Sequence, residues 1–401
     1  WLKLFARLSS RLARKPARGG VASAGSQFPA ASRCAELSAA QMAKRDGHGE
    51  VETEELDEVK PTVASRVCVL GGGAFGTAMA QHLAVKGSEV RMWVLEREVV
   101  ESINTSHENP IYLPGYTLND RLVATQDVSE AVDGAEMVLL IIPTPFIARW
   151  IGENQRKLPW TVPIVCCSKG IEENTLRTPY EILVDELPGK YHGQLCVLSG
   201  PSFAKEIAGG LPTNATCASK SHEVALRVQS FVSTKHFRAY SASDVVGAEL
   251  CGAVKNVLAI ACGASDGLGF GDNARAALIT RGLAEMARLI VKKGGRATTI
   301  NGLAGVGDLV LTCSSKLSRN YSVGSSLAQG KPIDMGKAFA EGVKTSLALH
   351  ILAEQLGVTM PICESVFKVI HGGVPIQVAL ASLQGRSLKS EDGDVAWQSA
   401  L

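Results

Sequence analysis

Four apolar residues, Val67-Cys68-Val69-Leu70, run directly into Gly71-Gly72-Gly73-Ala74-Phe75-Gly76, and Thr77 to Ala84 then reads as a helix that stops at Gly87. Few patterns constrain a chain more. A buried strand that turns sharply into a helix presents the helix N-terminus, with its free N–H groups and positive dipole end, to whatever binds at the strand tip. Gly71 suits the tight turn, Gly73 lets the backbone approach a pyrophosphate, and Gly76 lets helix and strand pack closely, with Ala74 and Phe75 completing the loop. A second strand, Glu89 to Leu95, leads to Glu96, about where a carboxylate holds the hydroxyls of an adenosine ribose. The segment therefore predicts a dinucleotide-binding unit. Glu96 repels a 2′-phosphate and favours NAD over NADP, whereas Arg97 beside it offers a cation that suits one.

Further buried strands are predicted at Met137–Ile142, Pro163–Ser168 and Leu195–Ser199, with helical stretches between them, which implies a parallel sheet with right-handed crossovers. Each ends in an unusual cluster: Pro143-Thr144-Pro145-Phe146, Ser168-Lys169-Gly170 and Ser199-Gly200-Pro201-Ser202. These clusters and the glycine loop converge on the carboxyl rim, where open α/β sheets bind ligands. Lys169 there suits a phosphate or a polarised carbonyl.

Strand signals fade after Phe237–Tyr240. Asp244–Gly263 is helix-like, with Val246, Leu250, Val254, Val257 and Ala261 on one stripe. Lys255 interrupts that stripe. Its helical neighbours Cys251, Gly252, Leu258 and Ala259 are small or apolar, so the amine either snorkels to solvent or is buried for a purpose. Burial lowers an ammonium's pKa toward neutrality and makes it a usable general acid. Asp266–Asn273 reads as a glycine-rich loop and Asn273–Lys293 as a long helix. Small residues crowd Asp308 within Gly302–Leu309. Arg319 beside Asn320 offers a guanidinium fork next to an amide, which suits a phosphate.

Composition narrows the function classes. A net charge of +2 over 401 residues gives no general attraction to nucleic acid, and no basic-aromatic stripe follows residue 60. Forty glycines and 5% aromatics suit an α/β protein with tight turns. No uninterrupted apolar run approaches the roughly 18 residues of a membrane helix. The ten cysteines lack a CxxC and read as buried small hydrophobes, and the eight histidines lack HxxxH or HExxH spacing, so no metal site is expected. Residues 1–60 differ from the rest. Lys3, Arg7, Arg11, Arg14, Lys15, Arg18 and Arg33 come with no acid before residue 36, an organellar transit signature for plastid or mitochondrion. Translation from Met42 would instead leave a cytosolic chain. Residues 46–59 then carry seven acids and no Lys or Arg, a solvated linker.

Over about residues 63–385 the sequence resembles the soluble NAD-dependent glycerol-3-phosphate dehydrogenases. The resemblance rests on Gly71–Gly76, Cys167-Ser168-Lys169-Gly170, Ser199–Ala204, Ala253-Val254-Lys255-Asn256-Val257, Asp266–Asn273, Leu303–Asp308, Leu317-Ser318-Arg319-Asn320 and Ala340–Thr345, in matching order and spacing. It implies an α/β fold class, an N-terminal Rossmann-type doubly wound sheet (61–243) plus an all-helical C-terminal domain (244–385) and a tail (386–401), usually as a homodimer. It also implies interconversion of dihydroxyacetone phosphate and sn-glycerol 3-phosphate with NAD as cofactor. Lys255 is then the proton donor and acceptor. Lys169, Asn256, Asp308 and Thr312 line the substrate, Ser318, Arg319 and Asn320 surround its phosphate, and Gly200 and Ser202 lie near it in the bacterial branch. Phe146, Ala204, Arg319 and Glu341 lie along the cofactor, and Asp308 orients the Lys255 ammonium. Two departures are visible: Phe75 where many relatives have Trp, and Leu95 where NADP-using bacterial relatives tend to have Arg. Another hydroxyacid dehydrogenase would not need Ser318-Arg319-Asn320. A non-catalytic NAD sensor would not need Lys255, Lys169 and Asp308 together.

Overall fold

Burial on both faces of β1 (Arg66–Leu70) sets the architecture: Val67 and Val69 enter one apolar cluster and Cys68 and Leu70 another, on opposite faces of one sheet. A strand buried on both faces needs a continuous apolar run, which this segment supplies. The computed structural model describes residues 59–332, 340–388 and 390. The basic leader, most of the acidic run, and residues 391–401 of the tail lie outside the described residues, and so do the targeting and start-site readings made on them.

After β1 come α1 (Ala74–Lys86), β2 (Glu89–Trp93), α2 (Arg97–Ser106), β3 (Leu122–Thr125), α3 (Val128–Val132), β4 (Met137–Leu140), α4 (Ile147–Asn154) and β5 (Ile164–Cys166). They are followed by α5 (Pro179–Glu186), β6 (Leu195–Ser199), α6 (Ala204–Ala208), β7 (Thr213–Ala218), α7 (His222–Val232) and β8 (Phe237–Ala242). The sheet order is β3-β2-β1-β4-β5-β6-β7-β8. β1 pairs in parallel with both β2 and β4, so the order reverses beside the glycine loop. Such a switch point opens a crevice at the carboxyl rim.

β2, β4 and β5 are shorter than predicted, β6 has the predicted bounds, β1 and β8 extend beyond theirs, and β3 and β7 were not anticipated. β3 and β7 are brief and rich in Ala and Thr, with alternating burial that makes a weak apolar signal. The sheet is not all-parallel either, because β7 runs antiparallel to β6. The link between them carries only the five-residue α6 and turns at Gly210, so the chain re-enters from the same rim instead of crossing back.

The remaining described elements are helical: α8 (Val245–Gly267), α9 (Gly271–Lys292), α10 (Asp308–Cys313), α11 (Arg319–Ala328), α12 (Glu341–Leu356), α13 (Pro361–Ile370) and α14 (Ile376–Gln384). The predicted loop at Asp266–Asn273 shrinks to Leu268–Phe270 as α8 and α9 extend into it. α8 is the axis of this half. Its length and composition would let it cross a bilayer, but 89% of that stretch is buried inside the molecule, as for a soluble core helix. Asp244 caps it by accepting the Gly247 amide at 2.9 Å. Leu250, Val254, Val257 and Leu258 share one apolar cluster with Leu70, Leu140 and Val197 of the sheet. Each such large side chain contributes about 2 kcal/mol on burial. Glu249 adds a polar tie, accepting from Thr178 Oγ1 (2.5 Å) and the Tyr180 amide (2.7 Å) at the start of α5. All nine described cysteines are buried and free.

Candidate active site

The glycine loop adopts the conformation its residues predict. Gly71 has φ +129°, and a Cβ there would lie 2.5 Å from the Ile141 carbonyl oxygen. A Cβ on Gly76 would overlap the Gly71 carbonyl, whereas Gly73 faces open space with nothing within 4 Å of its Cβ position. Gly73 is also the N-cap of α1, with no side-chain cap and no acid in the first turn. Unsatisfied N–H groups therefore meet an open cradle, which fits a cofactor pyrophosphate. Ala74 and Phe75 begin the helix, with Phe75 packed partly against the core. Glu96 follows β2 at the N-cap of α2, half-buried. Arg97 instead pairs with Glu101 at 2.8 Å on the surface.

β4, β5 and β6 lie side by side next to β1, and their tips bring the predicted clusters together. Thr144 Oγ1 donates to the Lys169 carbonyl (3.0 Å) and Ser168 Oγ to the Ile142 carbonyl (2.5 Å). Phe146, 55% exposed, stands on this rim, and Ala204 opens α6. Gly200 has φ +147° and packs against Ala215, and the Ser202 hydroxyl turns back onto the Gly200 carbonyl at 2.8 Å.

Lys255 settles the alternative left open by the sequence: it does not snorkel. It is 7% exposed, held in the middle of α8. Its Nζ donates to Asp308 Oδ1 (2.5 Å) and to Thr312 Oγ1 (3.0 Å). Thr312 in turn donates to the Asp308 carbonyl at 2.6 Å. The other Asp308 oxygen accepts from Lys169 Nζ at 2.7 Å, and the Gly200 carbonyl lies 3.5 Å from the same amine. One carboxylate, 1% exposed, thus bridges two ammonium groups. Gly305, with φ −88° and ψ −106°, breaks the turn leading into α10 and lets Asp308 begin that helix inside the cluster.

The titration behaviour follows from this geometry. Burial pulls the Lys255 ammonium down to about 8, with Asp308 opposing and Lys169 adding to the fall. Burial also penalises the Lys169 ammonium, but Asp308 outweighs it and holds that amine protonated. Burial would raise Asp308, but the two lysines outweigh it and keep the carboxylate ionised. One ammonium near neutrality beside one held charged separates a proton-transfer group from an electrostatic one.

Asn320 Nδ2 donates to Asn256 Oδ1 at 3.0 Å, and Asn320 Oδ1 accepts the Gly342 amide at 2.9 Å. Asn256 Nδ2 reaches Glu341 Oε2 at 3.5 Å. Burial raises Glu341, opposed by Arg319, Lys169 and Lys255 in that order. Arg319 is exposed at the start of α11 and makes no side-chain hydrogen bond among the described residues, so its fork remains available. Ser318 is buried and its hydroxyl caps α11 through the Tyr321 amide (3.2 Å), so it shapes the turn that presents Arg319. Thr345, at the end of the Ala340–Thr345 motif, is buried against Gly170, its Oγ1 3.3 Å from where a Cβ on that glycine would lie.

Family descriptions match both halves: NAD-dependent glycerol-3-phosphate dehydrogenase N-terminus over residues 66–225, and the C-terminus of the same enzyme over 244–381. The chain belongs to the NAD-dependent glycerol-3-phosphate dehydrogenase family. It is 50% identical over 331 residues to glycerol-3-phosphate dehydrogenase [NAD(P)+] of Myxococcus xanthus, covering 81% of this chain and 98% of the relative. The enzyme of the same name from Anaeromyxobacter dehalogenans is 48% identical over 331 residues, 81% of this chain and 99% of the relative. Among solved structures, the Coxiella burnetii glycerol-3-phosphate dehydrogenase superposes with a TM-score of 0.75 at 37% identity, over 81% of this chain and 100% of that one. The Saccharomyces cerevisiae glycerol-3-phosphate dehydrogenase gives a TM-score of 0.67 at 29% identity, over 81% of this chain and 100% of that one. Membership accounts for the expected fold class, a Rossmann-type sheet followed by an all-helical half.

Proposed function

We propose that the chain interconverts dihydroxyacetone phosphate and sn-glycerol 3-phosphate, with NAD as cofactor and with NADH taken in preference to NADPH. The single observation that carries this reading is the buried Lys255–Asp308–Lys169 cluster at the switch-point rim. Residues Gly71–Gly76 would hold the cofactor's pyrophosphate and Glu96 its adenosine ribose. When bound, the nicotinamide supplies or accepts the hydride. Everything else is done by the chain's own side chains.

Lys255 uses two N–H bonds on Asp308 and Thr312, leaving the third for a substrate oxygen. As hydride reaches the ketone carbon, negative charge builds on that oxygen. The ammonium stabilises it and transfers its proton, forming the O–H bond and becoming a neutral amine. In the reverse direction the amine takes that proton back. Lys169 stays charged and lends the site positive potential without competing for the proton. The three cations Lys255, Lys169 and Arg319 outnumber Asp308 and the burial-raised Glu341, which favours a phosphorylated substrate.

The phosphate reading is tested with two ketones. NADH oxidation is expected with dihydroxyacetone phosphate and to be weaker by about 100-fold or more with dihydroxyacetone, since charge-assisted contacts contribute about 1.5–3 kcal/mol each. Arg319→Lys, which replaces a fork by a point charge, is expected to raise KM for the phosphorylated ketone about ten-fold and to leave the unphosphorylated one little changed. Equal loss with both ketones would remove Arg319 from phosphate binding.

The pH dependence has a defined sign. The proton-donating form of Lys255 predominates below about 8, so reduction is expected to fall as pH rises through that value and oxidation to rise. The unfolded amine keeps its proton up to 10.5, so burying this group costs stability below about 8, a cost that fades as pH rises between the two values. Initial rates in both directions across that range check this, and profiles without opposite inflections would contradict it.

A further inference from the structure

We propose that Tyr112 is a positioning residue that aims the Glu96 carboxylate at the adenosine ribose and so sets the preference for NADH over NADPH. The proposal rests on the ribose reading of Glu96 given above. The Tyr112 hydroxyl donates to Glu96 Oε1 at 2.7 Å. No other hydrogen bond to this carboxylate forms among the described residues, so pinning one oxygen leaves Oε2 free to accept from ribose hydroxyls. The hydrogen bond to Glu96, followed by burial, pushes the phenol up to about 12, so it remains a donor throughout the working range.

The placement of Tyr112 is tied to the pyrophosphate cradle itself. Asn109 is fully buried between α2 and β3. Its Nδ2 donates to the Gly72 carbonyl (2.9 Å) and to Thr77 Oγ1 (2.8 Å), while its Oδ1 accepts the Tyr112 amide at 3.1 Å. An antiparallel bridge from Asn109 to the buried Leu113 closes the turn around Tyr112. One amide side chain therefore sets the distance between the glycine loop and the tyrosine–glutamate pair. A 2′-phosphate would have to approach a carboxylate that cannot swing away. The neighbouring cation, Arg97, points to Glu101. Removing the phenol hydroxyl releases Glu96, which loses its preorganised aim at the ribose and gains freedom to turn from a phosphate.

Calorimetric Kd values for NADH and NADPH provide the test, measured on the full chain without substrate for the parent, Tyr112→Phe, Glu96→Ala and the double variant. Tyr112→Phe is expected to lower the Kd(NADPH)/Kd(NADH) ratio about five-fold, the scale of one hydrogen bond. Glu96→Ala is expected to lower it further, and Tyr112→Phe to add nothing in that background, since it acts through the carboxylate. Equal weakening of both cofactors by Tyr112→Phe, or the same effect in the Glu96→Ala background, would overturn the proposal while leaving Glu96 in place. A ratio unmoved by Glu96→Ala would overturn the ribose reading, and the proposal with it.

Discussion

Lys255→Ala is expected to lower kcat for dihydroxyacetone phosphate reduction about a thousand-fold, the range for loss of a positioned general acid, while the NADH Kd stays near its parent value. The reason is local. The amine sits in α8, away from the glycine loop at the end of β1, and it reaches Asp308 and Thr312 through its tip alone. Its removal leaves Asp308 still paired with Lys169, so the fold keeps one buried ion pair. Lys255→Arg sharpens the experiment. A guanidinium retains the charge but does not release its proton near neutrality, so binding is expected to survive and turnover to remain low. Rates within about ten-fold of the parent for either variant would place the proton donor elsewhere.

Asp308→Asn is expected to be more damaging to the molecule as a whole. It leaves two adjacent ammonium groups without their shared counter-charge, in a site where Asp308 is 1% exposed. Breaking a buried charge network by removing one partner costs about 3–5 kcal/mol. Denaturant titration is expected to show that loss at neutral pH, with an unchanged slope. The same substitution removes the main force opposing burial on Lys255, so its ammonium falls below its present value of about 8. The pH at which reduction declines is then expected to move to lower values, alongside a kcat loss of about 100-fold or more. Asp308→Asn combined with Lys255→Ala should cost less than the sum of the single changes, because both act on one network. Full additivity would show that the carboxylate and the amine work independently.

The dinucleotide unit was legible because its information is local. Strand, glycine turn and helix occupy about twenty consecutive residues, with Gly76 fitted against the Gly71 carbonyl and Gly73 left open toward the cradle. Lys169, Lys255 and Asp308 were also visible, as charged residues set among small or apolar ones, and Arg319 as a guanidinium fork beside an amide. The short strands β3 and β7 were not, because four to six residues of mixed Ala and Thr carry little periodicity. The antiparallel step at β7 was hidden as well, since strand direction depends on where the chain re-enters the sheet.

Reading along the chain was enough for the kind of cofactor and the residue types of the site. It could not tell whether Lys255 snorkels or is buried. That required α8 to lie on the sheet, bringing Asp308 from 53 positions later and Lys169 from the tip of β5 around the same point. Nor could it show Asn109 reaching back 37 positions to Gly72 or Tyr112 meeting Glu96. The physical reason is the same in both cases. Turn geometry and helix capping act over a few residues, whereas the charge state of a buried amine and the aim of a carboxylate depend on which distant groups replace water around them.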